Sequence, residues 1–507
     1  MIATLTLAMT LLTAAAFKDW NPKHFLDTAE MTHALAIGYD WLFDVLSADD
    51  RRTIRQAIVD KGLHEGEKVY RKGGWWSTTQ WNWNQVCNGG MTLGALAVAE
   101  DEPQLAAFTV QHAVASVPLA LRSYAPDGAW SEGPGYWNYA TSYSVYMLAG
   151  LESALGTDFG LSRVPGFAQA GDFDVFGVGP SGFAFNFADC GEEKGRAPLL
   201  FWMARKFDNP LYAWFERDYV KGESPLDLWW FDPRGSEPTN YPTDRWFYNA
   251  DVVFFRSKWQ DPRAVFVGFK AGDNQANHSH LDLGTFVLDA DGQRWVTALG
   301  SDDYNLPGYF GDKRWTYYRL ATRGQNTLLI DGRNQDPKAA ASIVAYHSSP
   351  ERAHAVADLS AGYAGSARRV ARGIALLDRR MVLVEDELQS VMGSRVVWQV
   401  HTKAEIELHG DRALLSQQGE KLTARILFPA DAKFTVQPAN PPPPERQNPD
   451  VRKLVIELAP RRGLVRLAVL FVPGEGGEEA APLVTPLAKW TKDREAMAGS
   501  KSRRSRP

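Results

Sequence analysis

The sequence predicts a multidomain α+β protein in which a helical first half precedes an antiparallel β-sandwich. Its 507 residues exceed what one hydrophobic core usually organises, so two or three domains are expected. Apolar residues recur at helical intervals through the first half, whereas the second half contains short β-rich runs separated by Asp-Gly and similar turns. An apolar content of 45% and a charged content of 23% are typical of a folded globular chain.

The first twenty residues, MIATLTLAMTLLTAAAFKDW, are interpreted as the end of an amphipathic or buried helix. A signal peptide is the alternative, because small residues at positions 14–16 follow an apolar run. The first basic residue is Lys18, however, so the positive segment that opens such a peptide is missing. The run is also too short to cross a bilayer, and no integral membrane span is predicted.

The helical half predicts sequential hairpins that bury their apolar stripes side by side, as a bundle or a ring. Asp27 and Glu30 stand at capping-box spacing at the start of the first long helix. Ser47 is a good N-cap for a helix over 48–72, which has acidic residues in its first turn and basic residues later. Further helices are predicted around 88–100, 102–124, 134–155, 194–206 and 208–220.

The second half predicts antiparallel hairpins. Pro441 to Pro444 cannot lie inside a sheet and are expected in a loop. The predicted strands fall within 251–259, 263–272, 283–299, 326–332, 373–388, 395–402, 453–460 and 464–473. The resulting domains are a helical domain at 1–225, a connector at 226–245, a sandwich at 246–475 and a tail at 476–507. The tail is rich in Gly and Glu, ends in SKSRRSRP, and is expected to be partly disordered.

Charge and cysteine content narrow the function class. A net charge of -5 argues against a general nucleic-acid binder and predicts no strong steering of an acidic polymer. Two cysteines, Cys87 and Cys190, provide no disulfide framework and no cysteine metal site, and two free buried thiols are favoured over one bridge. The 18 tryptophans are the compositional outlier, and clusters of exposed Trp usually have a ligand or a partner.

The stretch WNWNQVCNGG, residues 81–90, places aromatic rings and amides at a helix entrance. Trp81 and Trp83 could stack on sugar rings, while Asn84 and Gln85 could hydrogen-bond hydroxyls and carboxylates. The alternative is ordinary helix capping with aromatic packing, and this stretch alone does not separate the two.

Two later clusters also contain groups capable of chemistry. In DGAWSEGPGYWNYATSY, residues 127–143, four side chains surround glycines and a proline at a helix entrance, namely Asp127, Glu132, Tyr136 and Tyr139. In NQANHSHLDLGTFVLDADG, residues 274–292, four side chains precede a strand, namely Asn277, His278, His280 and Asp282. On an extended segment the last three share a face, which suits either a metal site or a polar strand edge.

Together these motifs resemble the heparinase II/III-like polysaccharide lyases over roughly residues 20–470. The resemblance rests on NWNQVCNGGM, DGAWSEGPGYWNYA, NHSHLDLGTFVLDADG, GSDDYNLPGYF and YYRLATRGQNTLLIDG. It implies an incomplete (α/α) toroid followed by an antiparallel β-sandwich. It also implies β-elimination on uronic-acid polysaccharides, in which a base removes the C5 proton, an acid protonates the departing C4 oxygen, and donors neutralise the carboxylate.

The resemblance assigns roles to particular residues. Asn84 and Gln85 occupy the place of the pair that grips the carboxylate, although an amide cannot shuttle a proton as a histidine can. Tyr136 matches the catalytic tyrosine, an acid and for one epimer also a base, and His278 matches the histidine that assists neutralisation or proton abstraction. Substrate contacts are expected from Trp81, Trp83, Glu132, Tyr139, Asn277, Tyr304, Tyr309 and Arg319. A structural role is favoured for Glu132, and packing is an equal alternative for the last three.

Departures from the family pattern bear on metal binding. Relatives with a structural zinc resemble this chain at His280, but the other ligand positions read Ala298 and Gln325. One histidine with a neighbouring carboxylate does not complete a tetrahedral site, so no zinc and no other cofactor is predicted.

Two other functions remain open at this level. One is a glycoside hydrolase on a helical ring, with Asp127 and Glu132 or Asp189 as its paired carboxylates. The other is a uronate-binding relative that has lost turnover. The expected partner is an acidic polysaccharide or oligosaccharide and not a nucleic acid, and the family implies a periplasmic or secreted protein. The particular polymer and endo or exo action stay undetermined.

Overall fold

The computed structural model describes residues 2–236, 238, 241–475 and 482–490, in which helices come first and antiparallel sheets second. The helices are α1 (Ile2–Ala16), α2 (Leu26–Trp41), α3 (Ala48–Ala57), α4 (His64–Lys72), α5 (Asn82–Ala97), α6 (Pro103–Ser116), α7 (Pro118–Leu121), α8 (Gly133–Leu155), α9 (Ala170–Gly177), α10 (Leu199–Lys206), α11 (Pro210–Trp214) and α12 (Asp227–Trp230). Helices α9 and α12 were not among the predicted elements, and α12 lies in the predicted connector.

The strands begin at residue 245. They are β1 (Arg245–Phe247), β2 (Val252–Arg256), β3 (Phe266–Lys270), β4 (Gly272–Asp273), β5 (Phe286–Ala290), β6 (Gln293–Val296), β7 (Leu328–Ile330), β8 (Ala340–His347), β9 (Arg352–Asp358), β10 (Ala367–Leu377), β11 (Met381–Thr402), β12 (Glu405–His409), β13 (Arg412–Gln417), β14 (Glu420–Phe428), β15 (Phe434–Pro438) and β16 (Arg452–Pro473). The prolines at 441–444 lie in the loop between β15 and β16, as predicted.

Helix α5 packs unusually close to its neighbours α2 and α8. A Cβ atom on Gly89 would lie 2.6 Å from the backbone oxygen of Tyr143 in α8, and one on Gly90 would overlap the backbone of Ala29 in α2. Only glycine permits this approach, which explains the NGG within the helix. The close contact holds the beginnings of α5 and α8 next to each other, and the candidate site lies there.

The two predicted helix caps have different outcomes. The Ser47 hydroxyl accepts a hydrogen bond from the Asp50 N–H at 3.1 Å, so the predicted cap of α3 is confirmed. The predicted capping box at Asp27 is wrong, because the N-cap of α2 is Phe25, in the left-handed region at φ 56°, with no side-chain cap. The Asp27 carboxylate turns back instead and accepts from the Asn21 amide at 2.8 Å, which braces the preceding turn.

Pro103–Tyr124 is, among the described residues, the one helical stretch long and apolar enough to cross a membrane by length and composition. In the structure it packs beside α5 as α6 and α7. Within it the buried Ser116 hydroxyl donates to the Ser77 backbone oxygen at 2.7 Å. The stretch is thereby bound into the helical domain.

The strands form two antiparallel sheets. The smaller has the order β1-β2-β3-β5-β6, and the larger has the order β12-β13-β14-β16-β11-β10-β9-β8-β4, with β15 on β16 and β7 on β11. The predicted run 373–388 covers the end of β10 and the start of β11, and the run 395–402 continues the 22-residue β11. The runs 453–460 and 464–473 join in the 22-residue β16, because register shifts near Ser390 and Ser394 absorb the irregularity without ending the ladder. Strands β1, β8, β9 and β12 to β15 were not predicted; in β8, for example, buried and partly exposed residues alternate.

Strand β2 is buried on both faces. Val252 and Phe254 belong to the core shared with the helices, whereas Val253 and Phe255 belong to the core between the two sheets. The ring of Phe254 lies 6.4 Å from that of Phe173 in α9. The continuous apolar run of this strand therefore reflects a three-layer arrangement, with the smaller sheet between the helices and the larger sheet.

Part of the predicted C-terminal tail is ordered on the larger sheet. Leu487 and Trp490 are 3% and 5% exposed and lie over Gly373 of β10, where a Cβ atom would overlap them. The expected disorder of the final stretch falls on 491–507, outside the described residues.

Replacing Phe254 by Ala is expected to destabilise the protein by about 3–5 kcal/mol, because the ring fills the core between the helices and the smaller sheet. Urea unfolding followed by tryptophan fluorescence measures the loss. Leu464→Ala, at a position 68% exposed in β16, is the control and should change stability by less than about 0.5 kcal/mol. Equal effects of the two variants would contradict the three-layer assignment.

Candidate active site

The candidate site lies where the beginnings of α5 and α8 meet the loop between β4 and β5. Glu132 immediately precedes α8, and Tyr136 lies in its first turn. The turn at Gly133 has φ 86°, and a Cβ atom there would be 2.6 Å from the Phe187 oxygen, so glycine is required. The loop from β4 bends at His278, which adopts φ 61°. The helical domain and the sheet domain thus each contribute side chains to one junction.

Tyr136 and His278 form a stacked pair across the domain junction. Their ring centroids lie 3.7 Å apart with an interplanar angle of 15°. The Tyr136 hydroxyl is 2.9 Å from the hydroxyl of Tyr304, whose ring is 41% exposed. Since a phenol and an imidazole lie side by side, one substrate group can meet both.

Asp189, between α9 and α10, is the anchor of this pair. Its carboxylate oxygens accept from the His278 Nδ1 at 3.1 Å, the His280 Nε2 at 2.9 Å, the Tyr309 hydroxyl at 2.9 Å and the Arg314 Nη2 at 3.0 Å. Burial alone would raise the pKa of the Asp189 carboxyl, but hydrogen bonds from His278 and His280 outweigh it and hold the pKa well below its ordinary value. The carboxylate is therefore ionised across the working pH range.

The environment leaves His278 as an uncharged base near neutral pH. Burial lowers the pKa of His278 below its ordinary 6.5 and outweighs the opposing effect of Asp189. Because ionised Asp189 can only accept, His278 carries its proton on Nδ1. Its Nε2 makes no hydrogen bond to any residue within the described part of the chain. A free lone pair therefore remains on the edge away from Asp189.

Tyr136 is set up as a proton donor. Burial raises the pKa of Tyr136 to about 12, although its hydrogen bond to Tyr304 opposes the shift. The phenol is thus protonated at neutral pH. An acid and a base therefore stand stacked at one position.

Glu132 joins the two domains beside this pair. Its carboxylate accepts from the backbone N–H of Asn82 at 3.0 Å, from the Asn82 side-chain amide, and from the Asn277 amide at 3.4 Å. Burial raises the pKa of Glu132 to about 7 despite these hydrogen bonds. The Glu132 side chain is 1% exposed and contacts Asn277, the residue before His278. It therefore helps to hold the loop that carries His278.

The structure does not agree with the prediction that Asn84 and Gln85 bind the substrate carboxylate. Both residues are 0% exposed. The Asn84 amide donates to the Ser116 hydroxyl at 3.0 Å, and the Gln85 amide donates to the Tyr124 hydroxyl at 3.0 Å. Each residue of a helix is rotated by about 100° from the one before it. Asn84 comes two positions after Asn82 and therefore points in a different direction. The amides near the stacked pair are those of Asn82 and Asn277.

The remaining predicted contacts divide into exposed and buried groups. Trp81 is 45% exposed at the entrance of α5, and Trp83 is half-buried with its ring edge against His24 at 5.0 Å. Tyr139 is half-buried and donates to the Glu30 carboxylate. Of these, Trp81 offers a free aromatic face.

Of the last three predicted substrate contacts, Tyr309 and Arg319 are buried, and only Tyr304 is open to solvent. Tyr309 is 1% exposed against Asp189, and Arg319 is 8% exposed with its guanidinium on the backbone oxygen of Ser301 at 3.1 Å. For Tyr309 and Arg319 the packing alternative therefore describes the structure.

The hypothetical metal trio of His278, His280 and Asp282 does not converge, because both histidines contact Asp189 whereas Asp282 pairs with a lysine. His280 uses both ring nitrogens, with Nε2 on Asp189 and Nδ1 3.3 Å from the Gln325 amide. Asp282 pairs with Lys270 at 2.6 Å. Among the residues described, no cluster of three or more His, Cys, Asp or Glu side chains is arranged to hold a metal. The absence of bound zinc stays a prediction.

Three residues of the site were missed or misread from the sequence. Asn82 is the first residue of α5, so extending the helical spacing toward the beginning of that helix could have identified it. Asp189 was considered only as a hydrolase carboxylate, and Arg314 had no local signal at all. Asp189 and Arg314 act through contacts between residues 125 positions apart, which no local pattern encodes.

Asn84→Ala should lower stability by about 1–3 kcal/mol, since it removes the buried hydrogen bonds that the Asn84 amide donates to the Ser116 hydroxyl and to the Trp76 oxygen. Thermal unfolding measures this loss. In calorimetry with uronate oligosaccharides, the partner expected from the sequence, the folded variant and the wild type should give the same result. Intact stability with lost binding would restore the original assignment of Asn84.

Comparison with known proteins shows a similarity of the sheet domain to one family model. Residues 245–460 match the family model described as Heparinase II/III-like, C-terminal. No curated protein sequence matches the chain.

Solved structures show the same overall fold. A heparan sulfate lyase mutant from Pedobacter heparinus matches with a TM-score of 0.70 and 15% identity, covering 91% of this chain and 69% of that one. A structure of heparinase III matches with a TM-score of 0.71 and 12% identity, covering 89% and 69%. A chondroitin AC lyase mutant from Streptomyces coelicolor A3 matches with a TM-score of 0.51 and 12% identity, covering 94% and 68%.

These likenesses confirm the predicted architecture of a helical toroid followed by antiparallel sheets. At such identities they speak for the fold alone, while the family model speaks for the sequence of the sheet domain. Residues 245–460 match the Heparinase II/III-like, C-terminal family model, and the chain has a toroid-and-sandwich fold similar to the solved structures of heparinase and chondroitin lyases.

Proposed function

We propose that this protein is a polysaccharide lyase that cleaves a uronic-acid-containing polysaccharide by β-elimination. The proposal rests on the stacked Tyr136 and His278, a protonated phenol against a neutral imidazole that Asp189 orients. β-Elimination requires such an acid and base within reach of adjacent ring atoms.

In the proposed first step, the free Nε2 of His278 removes the proton from C5 of the uronate. The hydrogen bond from Nδ1 to Asp189 stabilises the imidazolium that forms. The negative charge that develops at C5 spreads into the carboxylate, so donors to that carboxylate lower the barrier. Asn277, and not Asn84, is the proposed hydrogen-bond donor to the substrate carboxylate. It adjoins His278, and its hydrogen bond to Glu132 is long at 3.4 Å, so its amide can be redirected to the substrate.

In the second step, the C5 electron pair forms the C4=C5 double bond as the C4–O bond breaks. The departing oxygen takes the proton of the Tyr136 hydroxyl and becomes the new hydroxyl of the leaving sugar. The products are an unsaturated uronate and a new reducing end, without consumption of water. Transfer of one proton from the imidazolium to the phenolate, through solvent, restores both groups.

The hydrolase alternative finds less support in the carboxylates. Asp127 accepts from the backbone N–H groups of Ala129, Tyr248 and Asn249, and Asp189 accepts from four side chains. Both carboxylates therefore use their oxygens for hydrogen bonds within the protein. A paired carboxylate mechanism needs two such groups free to meet a sugar.

The fold relatives bear the names of heparan sulfate and chondroitin lyases, which favours a glycosaminoglycan-type polymer as substrate. We propose the periplasm or the cell exterior as the location, because such polymers lie there. A screen of uronate polymers by ultraviolet absorbance of the unsaturated product tests both the reaction and the substrate class.

Tyr136→Phe should reduce product formation by about 10²–10⁴-fold, because it removes the proposed acid while keeping the ring stack. The rise in ultraviolet absorbance measures the reaction. Tyr146→Phe, at a tyrosine three turns further along α8, is the matched control and should retain activity. Reducing sugar released without an absorbance rise would point to hydrolysis instead.

The pH dependence of kcat/KM should have its acidic limb below 6.5, since His278 must be neutral and burial lowers its pKa. As pH falls through that pKa, the imidazole becomes protonated and the rate falls. Asp189→Asn removes the charge that partly raises the pKa, so the limb should move to still lower pH while the maximal rate drops. An acidic limb above 6.5 in the wild type would exclude His278 as the base.

A further inference from the structure

A cavity of about 480 Å³ lies at the junction of the two domains, next to the candidate site. The helical domain contributes Gln80, Arg122 and Ser131 to its wall, and the sheet domain contributes Asp273 and Gln275. Its volume falls in the range of small-ligand sites, and its wall is largely polar. Nothing in the proposed elimination step uses it.

Two residues of the cavity wall are sequence neighbours of residues in the candidate site. Ser131 precedes Glu132, and Ala276, also in the wall, precedes Asn277. The amide of Asn277 contacts the carboxylate of Glu132, so this contact separates the cavity from the stacked pair. The cavity thus lies beside the candidate site, on the other side of this contact.

Arg122 is the feature of the cavity that calls for a ligand. Its side chain is exposed, and its guanidinium has no hydrogen bond or ion pair with any residue that the structure describes. Unpaired guanidinium groups bind carboxylate and sulfate oxygens through two parallel hydrogen bonds. The opposite wall offers Asp273, which can accept from a sugar hydroxyl.

The walls around Arg122 are fixed by hydrogen bonds. The Ser123 hydroxyl donates to the Gln80 oxygen at 2.9 Å, and the Asn249 amide donates to the Ala129 oxygen at 3.0 Å across the domain junction. The Gln275 N–H donates to the Asp273 carboxylate at 2.8 Å. A prearranged wall limits the ordering cost of binding.

We propose that this cavity is an anion subsite, in which Arg122 binds the carboxylate or sulfate of a sugar unit adjoining the one that is cleaved. The inference rests on the proposed function, which supplies the acidic polymer. It adds a residue that determines which charged polymers bind productively.

The test compares Arg122→Ala, Arg122→Lys and the wild type on heparan sulfate and on the same backbone without sulfate. Arg122→Ala should raise KM about 10- to 100-fold at low salt, the loss expected for a charge-assisted hydrogen bond, with kcat nearly unchanged. Arg122→Lys should recover part of the loss, because it keeps the charge but not the two-pronged geometry. The difference from wild type should shrink as salt increases.

Arg52→Ala is the matched control, since Arg52 is an exposed arginine on α3 that does not line the cavity. A KM effect confined to the sulfated polymer identifies sulfate as the bound group, and an equal effect on both polymers identifies the carboxylate. Unchanged KM on both polymers overturns the subsite. An equal loss of affinity for an uncharged oligosaccharide, measured by calorimetry, also overturns it, because the role of Arg122 would then be structural.

Failure of the elimination chemistry gives a different result. If the wild type yields no unsaturated product from either polymer, calorimetry with the same oligosaccharides replaces kinetics. Affinity lost in Arg122→Ala but kept in Arg52→Ala then supports the subsite even though the lyase proposal fails. Equal affinity of all variants rejects the subsite without reference to turnover.

Discussion

The Asp189 carboxylate is the contact on which the site depends. It belongs to a segment between two helices, yet its four side-chain donors, His278, His280, Tyr309 and Arg314, come from the sheet domain. Burying a carboxylate without partners would cost free energy, so the four donors stabilise the Asp189 charge. The carboxylate in turn fixes the orientation of the donors. The same ion holds the domains together and fixes the tautomer of His278.

A second link runs through Glu132. Its carboxylate accepts amides from Asn82, at the start of α5, and from Asn277, in the sheet-domain loop. This geometry requires α5 and α8 to begin side by side, which Gly89 permits by removing the side chain that would separate them. Thus one glycine in a helix interface sets the position of a polar group at the domain junction.

Much of the architecture could be predicted because its causes are local. Helical periodicity located α5 and α8, and β-rich runs located β2, β3 and β5, although the continuous apolar run of β2 reflected burial on both faces. The long strands β11 and β16 were divided in prediction, since a bulge looks like a strand end in one dimension. Strands with one exposed face, such as β8, had too weak an apolar pattern to stand out.

The sequence by itself determined the order of helices and sheets, and it brought Tyr136 and His278 forward through motifs that resemble a lyase family. Only the tertiary structure decided that these rings stack, that Asp189 orients His278, and that Asn84 and Gln85 face the helical core. Motifs record residue types and spacing, whereas the direction of a buried amide depends on neighbours such as Ser116 and Tyr124, distant in the chain. Long-range packing therefore settled which of several plausible polar groups reach the site.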